Sequence, residues 1–340
     1  MIRVYDFDFN LLAETKRCLS SEWELKYNGI GTYEGCYSIN TDIASIFAEH
    51  KYLIITEDDR QAVCIGKHIS DNLRVYGRTP EWLFSKRVVL PFKTSEIFGD
   101  CYTDPETLIL YLLSNTYKTP YIVGEDGVIS SEINKKAICE NIILPEKVGA
   151  ESLNRHFWRN SAKPLSEVII DLCDIMGCGF SLKADFAAKC WRFNLEFGRE
   201  QNLIISKSLK NAYDMTLKES VQDATEGGYF EIFDSDKGEN TYGYIYKESQ
   251  ESGILYWEKV LASASGQSEA EKLLKKAEEE YKLNCELLGV SYGKDYNMGD
   301  VLRVQFEAGS FRKTLKRRVV GVSIISSPKE RSIKPSFAEI

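Results

Sequence analysis

Short apolar runs separated by turn residues dominate the first hundred residues of the chain. In several of these runs apolar and polar residues alternate, which is the pattern of a strand with one buried face. The dipeptides Asn28-Gly29 and Asp71-Asn72 and the acidic stretch 57–60 separate the runs. Evenly spaced short strands of this kind favour a small β-barrel or sandwich. The predicted strands are 2–9, 23–27, 33–39, 52–56, 61–67 and 73–78.

Helical signals appear in the middle of the chain. Asp104 and Pro105 supply an N-cap and a first-turn proline for one helix. A second helix is predicted to begin at Pro164 and to end at Gly177, because a glycine readily adopts the backbone conformation that closes a helix. Two further strands are predicted at 180–183 and 190–197. Together these elements predict an α+β unit of a size usual for a small domain.

Strands return from residue 202 onward, together with the longest helical pattern in the chain. Ser268 and Glu271 fit a capping box, and Gly289 fits the position just after a helix, so we expect a helix at 268–288. The basic residues near the C-terminus indicate a mobile tail at 329–340. The strands predicted in this part are 229–233, 241–246, 254–260, 301–306 and 315–325.

The sequence therefore predicts an α+β fold that is mainly β, with two small β-barrel domains and an α+β insertion between them. No internal repeat at the level of residues supports the two-barrel arrangement, which depends on the β-rich character of both ends. The predicted domains are an N-terminal barrel at 1–100, an insertion at 101–201, a second barrel with the long helix at 202–328, and a tail at 329–340.

The net charge of −8 argues against tight, non-specific binding of nucleic acid through a basic face. It leaves open an acidic surface past which DNA slides without being held, and it equally fits an acidic surface that only provides solubility. The N-terminal residues have no apolar signal-peptide segment, and no run approaches the ~18 apolar residues of a membrane span. We expect no membrane insertion.

Residues that could carry chemistry are present but are not grouped into a motif. The nine cysteines include no C-x-x-C pair, and several have apolar neighbours, which predicts reduced, buried thiols and assembly in a reducing cytoplasm. The histidines, His50, His68 and His156, are far apart in the sequence. No G-x-S-x-G elbow and no phosphate-binding loop occurs. We expect no cofactor and no metal.

Two acidic clusters leave an enzymatic alternative open. Asp6 and Asp8, or the carboxylates at 57–59, would suit glycoside hydrolysis if two of them faced each other across a cleft. The cluster at 57–59 falls in a predicted hairpin turn, where solvated carboxylates are the more common arrangement. Asp6 and Asp8 would share one face of the first strand, most simply the solvated face. The sequence therefore favours a protein without enzymatic activity.

The segment 292–301 is the most specific short motif in the chain. It reads Tyr-Gly-Lys-Asp-Tyr-Asn-Met-Gly-Asp-Val, and its Gly299-Asp300 dipeptide directly precedes a predicted strand. Gly293 and Gly299 provide the backbone freedom that a sharp turn needs, and Asp295 and Asp300 are placed to accept hydrogen bonds from nearby amides. We interpret Gly293, Asp295, Tyr296, Gly299 and Asp300 as residues of a structural motif.

Four passages of the chain, taken in order, resemble one protein family. They are strand 3–6 with hairpin 53–66; the Gly77-Arg78 turn with its short helix and Arg87; the Pro164 helix with segment 177–213; and the motif 292–301. In these passages, which span nearly the whole chain, the protein resembles the tail-associated baseplate-hub proteins of long-tailed, siphovirus-type bacteriophages. That family also occurs in prophages and in phage-derived injection systems.

The resemblance implies a homotrimeric ring at the distal end of a tail tube, with the protein assembled in the bacterial cytoplasm and located at the virion tail tip. Two tube-like barrels per subunit would adapt a sixfold tube to a threefold tip. It implies contacts with a distal tail protein or tail tube protein, with the tape measure protein, and with a tail fibre, spike or lytic protein. DNA would pass only in transit. Many members continue into receptor-binding or wall-cleaving regions, which we expect here in another protein.

Three function classes follow from the sequence. The first is a structural hub protein, which predicts a stable trimer and no turnover. The second is a glycan hydrolase of the cell wall, and the third is a carbohydrate- or receptor-binding tail-tip module. An exposed cluster of aromatic residues would favour the third class. Besides the 293–300 turn, the region from Arg78 to Arg87 is a candidate interface.

Overall fold

The computed structural model describes residues 1–16, 18–89, 100–123, 129–149, 155–158, 162–220, 224–234, 239–248, 252–261, 267–276, 280–328 and 331–339. The N-terminal part contains one helix, α1 (Asp42–Glu49), and a 3-10 helix at Pro80–Lys86. Its strands are β1 (Ile2–Tyr5), β2 (Leu11–Thr15), β3 (Ser20–Lys26), β4 (Thr32–Ser38), β5 (Ile54–Glu57), β6 (Arg60–Ile69) and β7 (Asn72–Arg78).

The middle part contains the helices α2 (Pro105–Tyr117) and α3 (Leu165–Met176) and a short 3-10 helix at Lys135–Ala137. Asp104 caps α2 by accepting a hydrogen bond from the Thr107 amide at 2.9 Å, and Gly177 ends α3 with φ +63°, so both sequence-predicted caps are confirmed. The strands are β8 (Val88–Val89), β9 (Asp100–Thr103), β10 (Tyr121–Val123), β11 (Ile129–Ile133), β12 (Ile142–Ile143), β13 (Arg155–Trp158), β14 (Lys163–Pro164), β15 (Gly179–Asp185) and β16 (Cys190–Glu196).

The last part contains one helix, α4 (Gln267–Lys276), and a 3-10 helix at Gly253–Leu255. Its strands are β17 (Glu200–Ser206), β18 (Ala212–Ser220), β19 (Gly227–Asp234), β20 (Glu239–Tyr246), β21 (Glu258–Val260), β22 (Glu280–Leu287), β23 (Val301–Ala308), β24 (Phe311–Ser326) and β25 (Arg331–Ala338). The predicted class, α+β and mainly β, is confirmed. The division into two barrels and an insertion stays a prediction.

The chain divides into two compact units. The larger unit joins residues 1–213 to residues 286–338, and the smaller unit is formed by residues 214–285. None of the described helices combines the length and the apolar character that crossing a bilayer requires.

One sheet of eleven strands connects the two ends of the chain within the larger unit. Its order is β17-β23-β24-β3-β4-β7-β6-β5-β1-β2, and β25 pairs with β24. The long strand β24 makes this possible, since its first half pairs with β23 and its second half pairs with both β3 and β25. The N-terminal and C-terminal strands are therefore parts of one hydrogen-bonded sheet.

One face of this sheet is rich in large buried side chains. Trp23 and Tyr33 lie opposite each other on β3 and β4, with their ring centroids 4.4 Å apart. Tyr37 reaches Phe47 of α1 with a centroid distance of 5.9 Å, so the helix covers part of the same face. The alternation seen in the sequence is the origin of this arrangement, because every second side chain of a strand points to the same side.

A second apolar core lies between α2, α3, the 3-10 helix at Pro80–Lys86 and the hairpin β15–β16. Phe84 is at its centre and lies within 6.2 Å, centroid to centroid, of Tyr117, Phe180 and Phe193. Among the cysteines whose side chains the structure describes, five are buried free thiols, as predicted for small apolar residues: Cys64, Cys173, Cys178, Cys190 and Cys285.

In the smaller unit, α4 packs on a three-stranded sheet of order β20-β19-β21. The core consists of Phe230, Ile245, Leu261, Ala270 and Leu274. The predicted strand at 254–260 is only partly formed, since 3-10 helix Gly253–Leu255 occupies its start and β21 pairs in parallel with β19.

The predicted helix at 268–288 is wrong in its second half. The helix ends at Lys276, and Glu280–Leu287 form the strand β22, which pairs with β18. Leu283 and Cys285 are both buried, so burial alternates here with the period of a strand. Gly289 has the predicted positive φ, +70°, but it follows a strand instead of a helix. Pairing with a distant strand outweighed the local helical preference.

The predicted mobile tail at 329–340 is also wrong for its described residues. Residues 331–338 form β25, in which Ile333 lies opposite Ile324 of β24. Pro335 is accommodated because β25 pairs on one side only among the described strands, where a missing amide hydrogen is tolerated. The long strand β24 supplies the partner, which lies too far away for local sequence reasoning to reveal.

Glu81 links the 3-10 helix to β15 and gives the fold a predicted pH dependence. Its carboxylate accepts a hydrogen bond from the Leu182 amide at 2.9 Å. Burial raises the pKa of the Glu81 carboxyl above its ordinary value of 4.5, although hydrogen bonds from Thr79 and Leu182 act in the opposite direction. The folded state thus holds this proton more tightly than the unfolded state, and the associated stability is lost as the pH rises through the raised pKa.

We therefore expect wild type to lose stability relative to Glu81→Gln as the pH rises from 4 to 7, because Glu81 ionises and glutamine cannot. The difference in the free energy of unfolding, Glu81→Gln minus wild type, should thus increase over this range. Glu81→Ala should lose about 1–3 kcal/mol, because the buried Leu182 amide loses its acceptor. Urea unfolding at both pH values measures these effects, with the exposed Glu22→Gln as the control for removal of one charge. An unchanged Glu81→Gln difference across this range would contradict the prediction.

Candidate functional site

The Gly299-Asp300 dipeptide lies at a buried junction in the larger unit. Gly299 has φ +84°, a conformation that favours glycine, and its amide donates to the Val319 carbonyl at 2.8 Å. A Cβ at this position would lie 2.2 Å from the Tyr27 ring. Both the backbone conformation and the contact with Tyr27 therefore require glycine.

Asp300 is 3% exposed, and both oxygens of its carboxylate accept hydrogen bonds. One oxygen accepts the Arg199 amide at 2.9 Å, and the other accepts the Asn297 amide at 2.8 Å and the Gln201 side chain at 2.9 Å. The Asp300 carbonyl accepts from the Val319 amide at 2.9 Å. Asp300 thus closes its own turn and fixes the strand start at 199–201 beside β23.

Tyr27 completes the junction from the end of β3. Its hydroxyl donates to the Glu196 carbonyl at 2.7 Å and accepts from the Gly198 amide at 3.1 Å. Its own amide donates to the Val320 carbonyl at 2.9 Å, and the Arg318 guanidinium lies 5.6 Å from its ring centroid. Burial raises the pKa of Tyr27, so the hydroxyl stays protonated and able to donate at neutral pH.

Segments from four parts of the chain meet here: residue 27, segment 196–201, segment 297–301 and segment 318–320. The approach is close enough that a Cβ on Gly198 would lie 1.7 Å from the Gly299 carbonyl oxygen. The junction holds the start of β17 and β23 against β24 and the end of β3. Its chemistry is structural, because its carboxylate and hydroxyl are occupied by internal hydrogen bonds.

The other half of the motif is a tighter and more exposed turn. Gly293 also has φ +84°, but a Cβ there would meet nothing within 4 Å. Asp295 accepts the Ser291 amide at 2.7 Å, and Tyr296 is 1% exposed with its ring 5.7 Å from that of Tyr292. Burial raises the pKa of Tyr292 to about 12. The predicted local bonds of Asp295 and Asp300 are thus both present.

The other predicted motif residues lie elsewhere. Gly77 is in β7 opposite Tyr33, where a Cβ would lie 3.1–3.2 Å from its neighbours. Arg78 ends β7 and is partly buried. Arg87 donates to the Ala137 carbonyl at 2.7 Å, and its guanidinium lies 5.2 Å from the Tyr117 ring centroid. None of the described hydrogen bonds of these three residues reaches the Gly299-Asp300 junction.

Sequence reasoning missed Glu57. Its carboxylate accepts from the Trp23 indole at 2.6 Å and from the Ser21 hydroxyl at 3.0 Å, and the Arg60 guanidinium lies 3.8 Å away. The hairpin context predicted a solvated carboxylate, whereas this side chain is only 12% exposed. The hydrogen-bond partners Trp23 and Ser21 are more than thirty residues away in sequence, so no local signal could have identified them.

Asp6, another acidic candidate, makes its described hydrogen bonds within its own loop. Asp6 accepts the Asn10 amide at 2.8 Å and the Asp8 amide at 3.0 Å, so it stabilises its own loop. Burial alone would raise the pKa of Asp6, but the bonds with Asn10 and Asp8 outweigh it and lower that pKa. Within the described ranges, no group of three or more His, Cys, Asp or Glu residues is placed to hold a metal ion. The side chain of His156 lies outside the described residues.

The solvent-facing side of the central strands carries charges of both signs. The register of β3, β4 and β7 places Glu22 opposite Glu34, and Arg74 lies 3.9 Å from Glu34. Lys26 and Arg78 follow on the same side by alternation. This face is therefore neither a basic surface that would hold phosphates nor a uniformly acidic wall.

The chain matches no family model and no curated protein by sequence. Its fold, however, is similar to those of solved phage tail proteins. These include a tail protein from Neisseria meningitidis MC58 (TM-score 0.59, 8% identity, 99% of this chain and 96% of that one). The 43 kDa tail protein of prophage MuSo2 from Shewanella oneidensis gives a TM-score of 0.58 at 9% identity, over 99% and 98% of the two chains.

Prophage tail protein gp18 from Listeria monocytogenes EGD-e gives a TM-score of 0.56 at 10% identity, over 99% of this chain and 93% of that one. The similarity extends over nearly the whole length of both partners in each of the three comparisons. The chain therefore has the fold of these phage tail proteins.

The two glycines of the motif provide a matched test of the junction. Gly293→Ala should lose about 1 kcal/mol of stability, since only the positive φ opposes a side chain there. Gly299→Ala should lose a further 1–3 kcal/mol, about what overpacking costs, because its methyl group meets the Tyr27 ring. Chemical unfolding of both variants measures the difference. Equal losses would show that Tyr27 does not constrain position 299.

Asp300 and Asp295 form a second matched pair. Asp300→Ala removes the acceptor of three donors, two of them backbone amides in a partly buried setting, and should lose about 3 kcal/mol. Asp295→Ala removes one exposed bond and should lose about 0.5–1 kcal/mol. Thermal and urea unfolding give both values. A loss of stability in Asp295→Ala as large as that in Asp300→Ala would contradict the prediction that the buried Asp300 hydrogen bonds stabilise the fold more than the exposed one of Asp295.

Proposed function

We propose that this chain is a structural hub protein of a phage-type tail, and that three copies form a ring at the distal end of the tail tube. The observation that carries the proposal is the extent of the structural similarity: 99% of the chain is covered, together with 93–98% of each of three phage tail proteins. The shared architecture is thus that of the chain as a whole and not of one common module.

The larger unit is connected by one continuous sheet, which suits the subunit of a stable ring. A single sheet runs through the N-terminal and C-terminal strands, and the Tyr27–Gly299 contact fixes the point where they meet. In the proposed ring, two tube-like barrel domains per subunit, at 1–100 and 202–328, adapt the sixfold tube to a threefold tip. The region 101–201 is the insertion between them.

The proposed partners follow from this position. The ring would contact a distal tail protein or tail tube protein above it and a tail fibre, spike or lytic protein below it. The tape measure protein and DNA would pass through its channel. The mixed charge of the exposed face of β3, β4 and β7 supports passage without retention, since a continuous basic surface would bind phosphates. No cofactor, metal or membrane insertion is part of the proposal.

We infer that the protein has no enzymatic role, because two of the carboxylates considered for glycoside hydrolysis are engaged in hydrogen bonds of their own. Asp6 is bound within its own loop, and Glu57 is bound to Trp23 and Ser21. A carbohydrate-binding role is the second candidate. The exposed tyrosines Tyr242 and Tyr246 of the smaller unit favour it.

The ring predicts a particle of three times 38.8 kDa. We expect light scattering to give this mass over a range of protein concentrations, and negative-stain images to show a ring with an open centre. Tyr52→Ser, a change at an exposed position of the larger unit outside both candidate interfaces, serves as a control that should assemble normally. A chain that remains monomeric at every concentration, including in mixtures with its tail partners, would contradict the ring.

A further inference from the structure

The sheet of the smaller unit has one covered face and one exposed face. Phe230 and Ile245 point to α4 and belong to the buried core. Because side chains alternate along a strand, their neighbours point the other way. Among the residues whose side chains the structure describes, the register places eight on this exposed side, which we name the tyrosine face: Gly227, Tyr229, Glu231, Tyr242, Tyr244, Tyr246, Glu258 and Val260.

The tyrosine face exposes four large rings to solvent. Tyr242 and Tyr246 are 67% and 69% exposed, and Tyr229 and Tyr244 are 42% and 39% exposed. Tyr242, Tyr244 and Tyr246 follow one another on the same side of β20 as a row, and Tyr229 lies opposite Tyr244 on β19. The Tyr244 ring contacts two of the others, with centroid distances of 4.6 Å to Tyr229 and 6.3 Å to Tyr246. A contiguous exposed aromatic patch on a folded protein marks an interaction site.

The centre of the row is held in position before any ligand arrives. The Tyr244 hydroxyl is 2.9 Å from the Tyr256 hydroxyl and donates to Glu258 at 2.8 Å. Gly227 provides the space for this arrangement, because a Cβ there would lie 2.2 Å from the Tyr244 hydroxyl oxygen. The Tyr244 ring therefore lies along the sheet instead of pointing freely into solvent, and a flat partner can be placed against it without further ordering.

We propose that the tyrosine face binds a chain of neutral sugars. One side of a pyranose ring presents C–H bonds and packs against the flat face of an aromatic ring, while its hydroxyl groups need polar partners at the edges. The structure supplies both, with four tyrosine rings on one face and the carboxylates of Glu231 and Glu258 beside them. This site is independent of the ring proposed above, since it depends only on residues of the smaller unit.

The charges of the tyrosine face argue against other ligands. Its eight positions include Glu231 and Glu258 and no Lys or Arg. Nucleic acid or an acidic polysaccharide would meet like charge and would gain no phosphate or carboxylate contact. Two copies packed face to face would oppose the same carboxylates. They would also lack an aliphatic core, because Val260 is the one aliphatic residue among the eight, whereas the centre of a protein interface is mainly apolar.

The test is affinity electrophoresis of the full-length protein in gels that contain a soluble neutral polysaccharide, with dextran, mannan and β-1,3-glucan as the probes. Polygalacturonate is the acidic comparison. We expect at least one neutral polysaccharide to retard the wild-type protein and polygalacturonate to leave its mobility unchanged. Absence of retardation by all three neutral polysaccharides, or retardation by polygalacturonate alone, would overturn the proposal.

Two variants assign the binding to this face. Tyr242→Ser combined with Tyr246→Ser should weaken the affinity at least about tenfold, and both positions are exposed enough for the fold to tolerate the change. Tyr52→Ser, which removes an exposed tyrosine of the larger unit (59% exposed), should leave it unchanged. Circular dichroism melting checks folding, and light scattering checks assembly. A double variant that binds sugar as wild type does, or that loses assembly in place of binding, would overturn the sugar site.

Discussion

The contact between the Tyr27 ring and the backbone of Gly299 fixes the larger unit. Strand β24 can pair with β23 in one direction and with β3 in the other only if the chain turns sharply just before β23, at the point where β3 ends. Gly299 permits that turn because no side chain occupies the space of the Tyr27 ring. Asp300 then fixes this turn as a corner, because its carboxylate accepts hydrogen bonds from the Asn297 and Arg199 amides. The eleven-stranded sheet depends on this corner.

Local chemistry explains what the sequence predicted well. The Asp104 cap, the Gly177 helix end and most strands of the first eighty residues depend on neighbours within a few positions, and all are found close to their predicted places. The Gly299-Asp300 turn was also predicted, since glycine and aspartate favour turns for local reasons. Its partner Tyr27 could not be predicted, because the two residues are 272 positions apart in the sequence.

The wrong predictions share one cause, which is contact with residues that are distant in the sequence. Leu283 and Cys285 fit a helix by local preference, but β18 offers them a ladder partner. Ile333 lies in a basic segment that resembles a solvated tail, yet β24 is long enough to bind it. The sequence around Glu57 predicts a solvated turn, but its carboxylate accepts hydrogen bonds from Trp23 and Ser21. In each case the deciding residue is remote, and composition within a window carries no information about it.

The buried junction contributes to the fold and not to the recognition of a partner. Tyr27, Gly299 and Asp300 are enclosed by their own chain and leave no polar group for a partner, so the most specific motif in the sequence reports architecture and not recognition. A fold shared at 8–10% identity is consistent with this, since pattern and volume can be kept while individual residues change. Exposed residues such as Tyr242 and Tyr246 contribute little to the core, and the proposed sugar site depends on them. Alternation along β20 is what places both on the same face of the sheet.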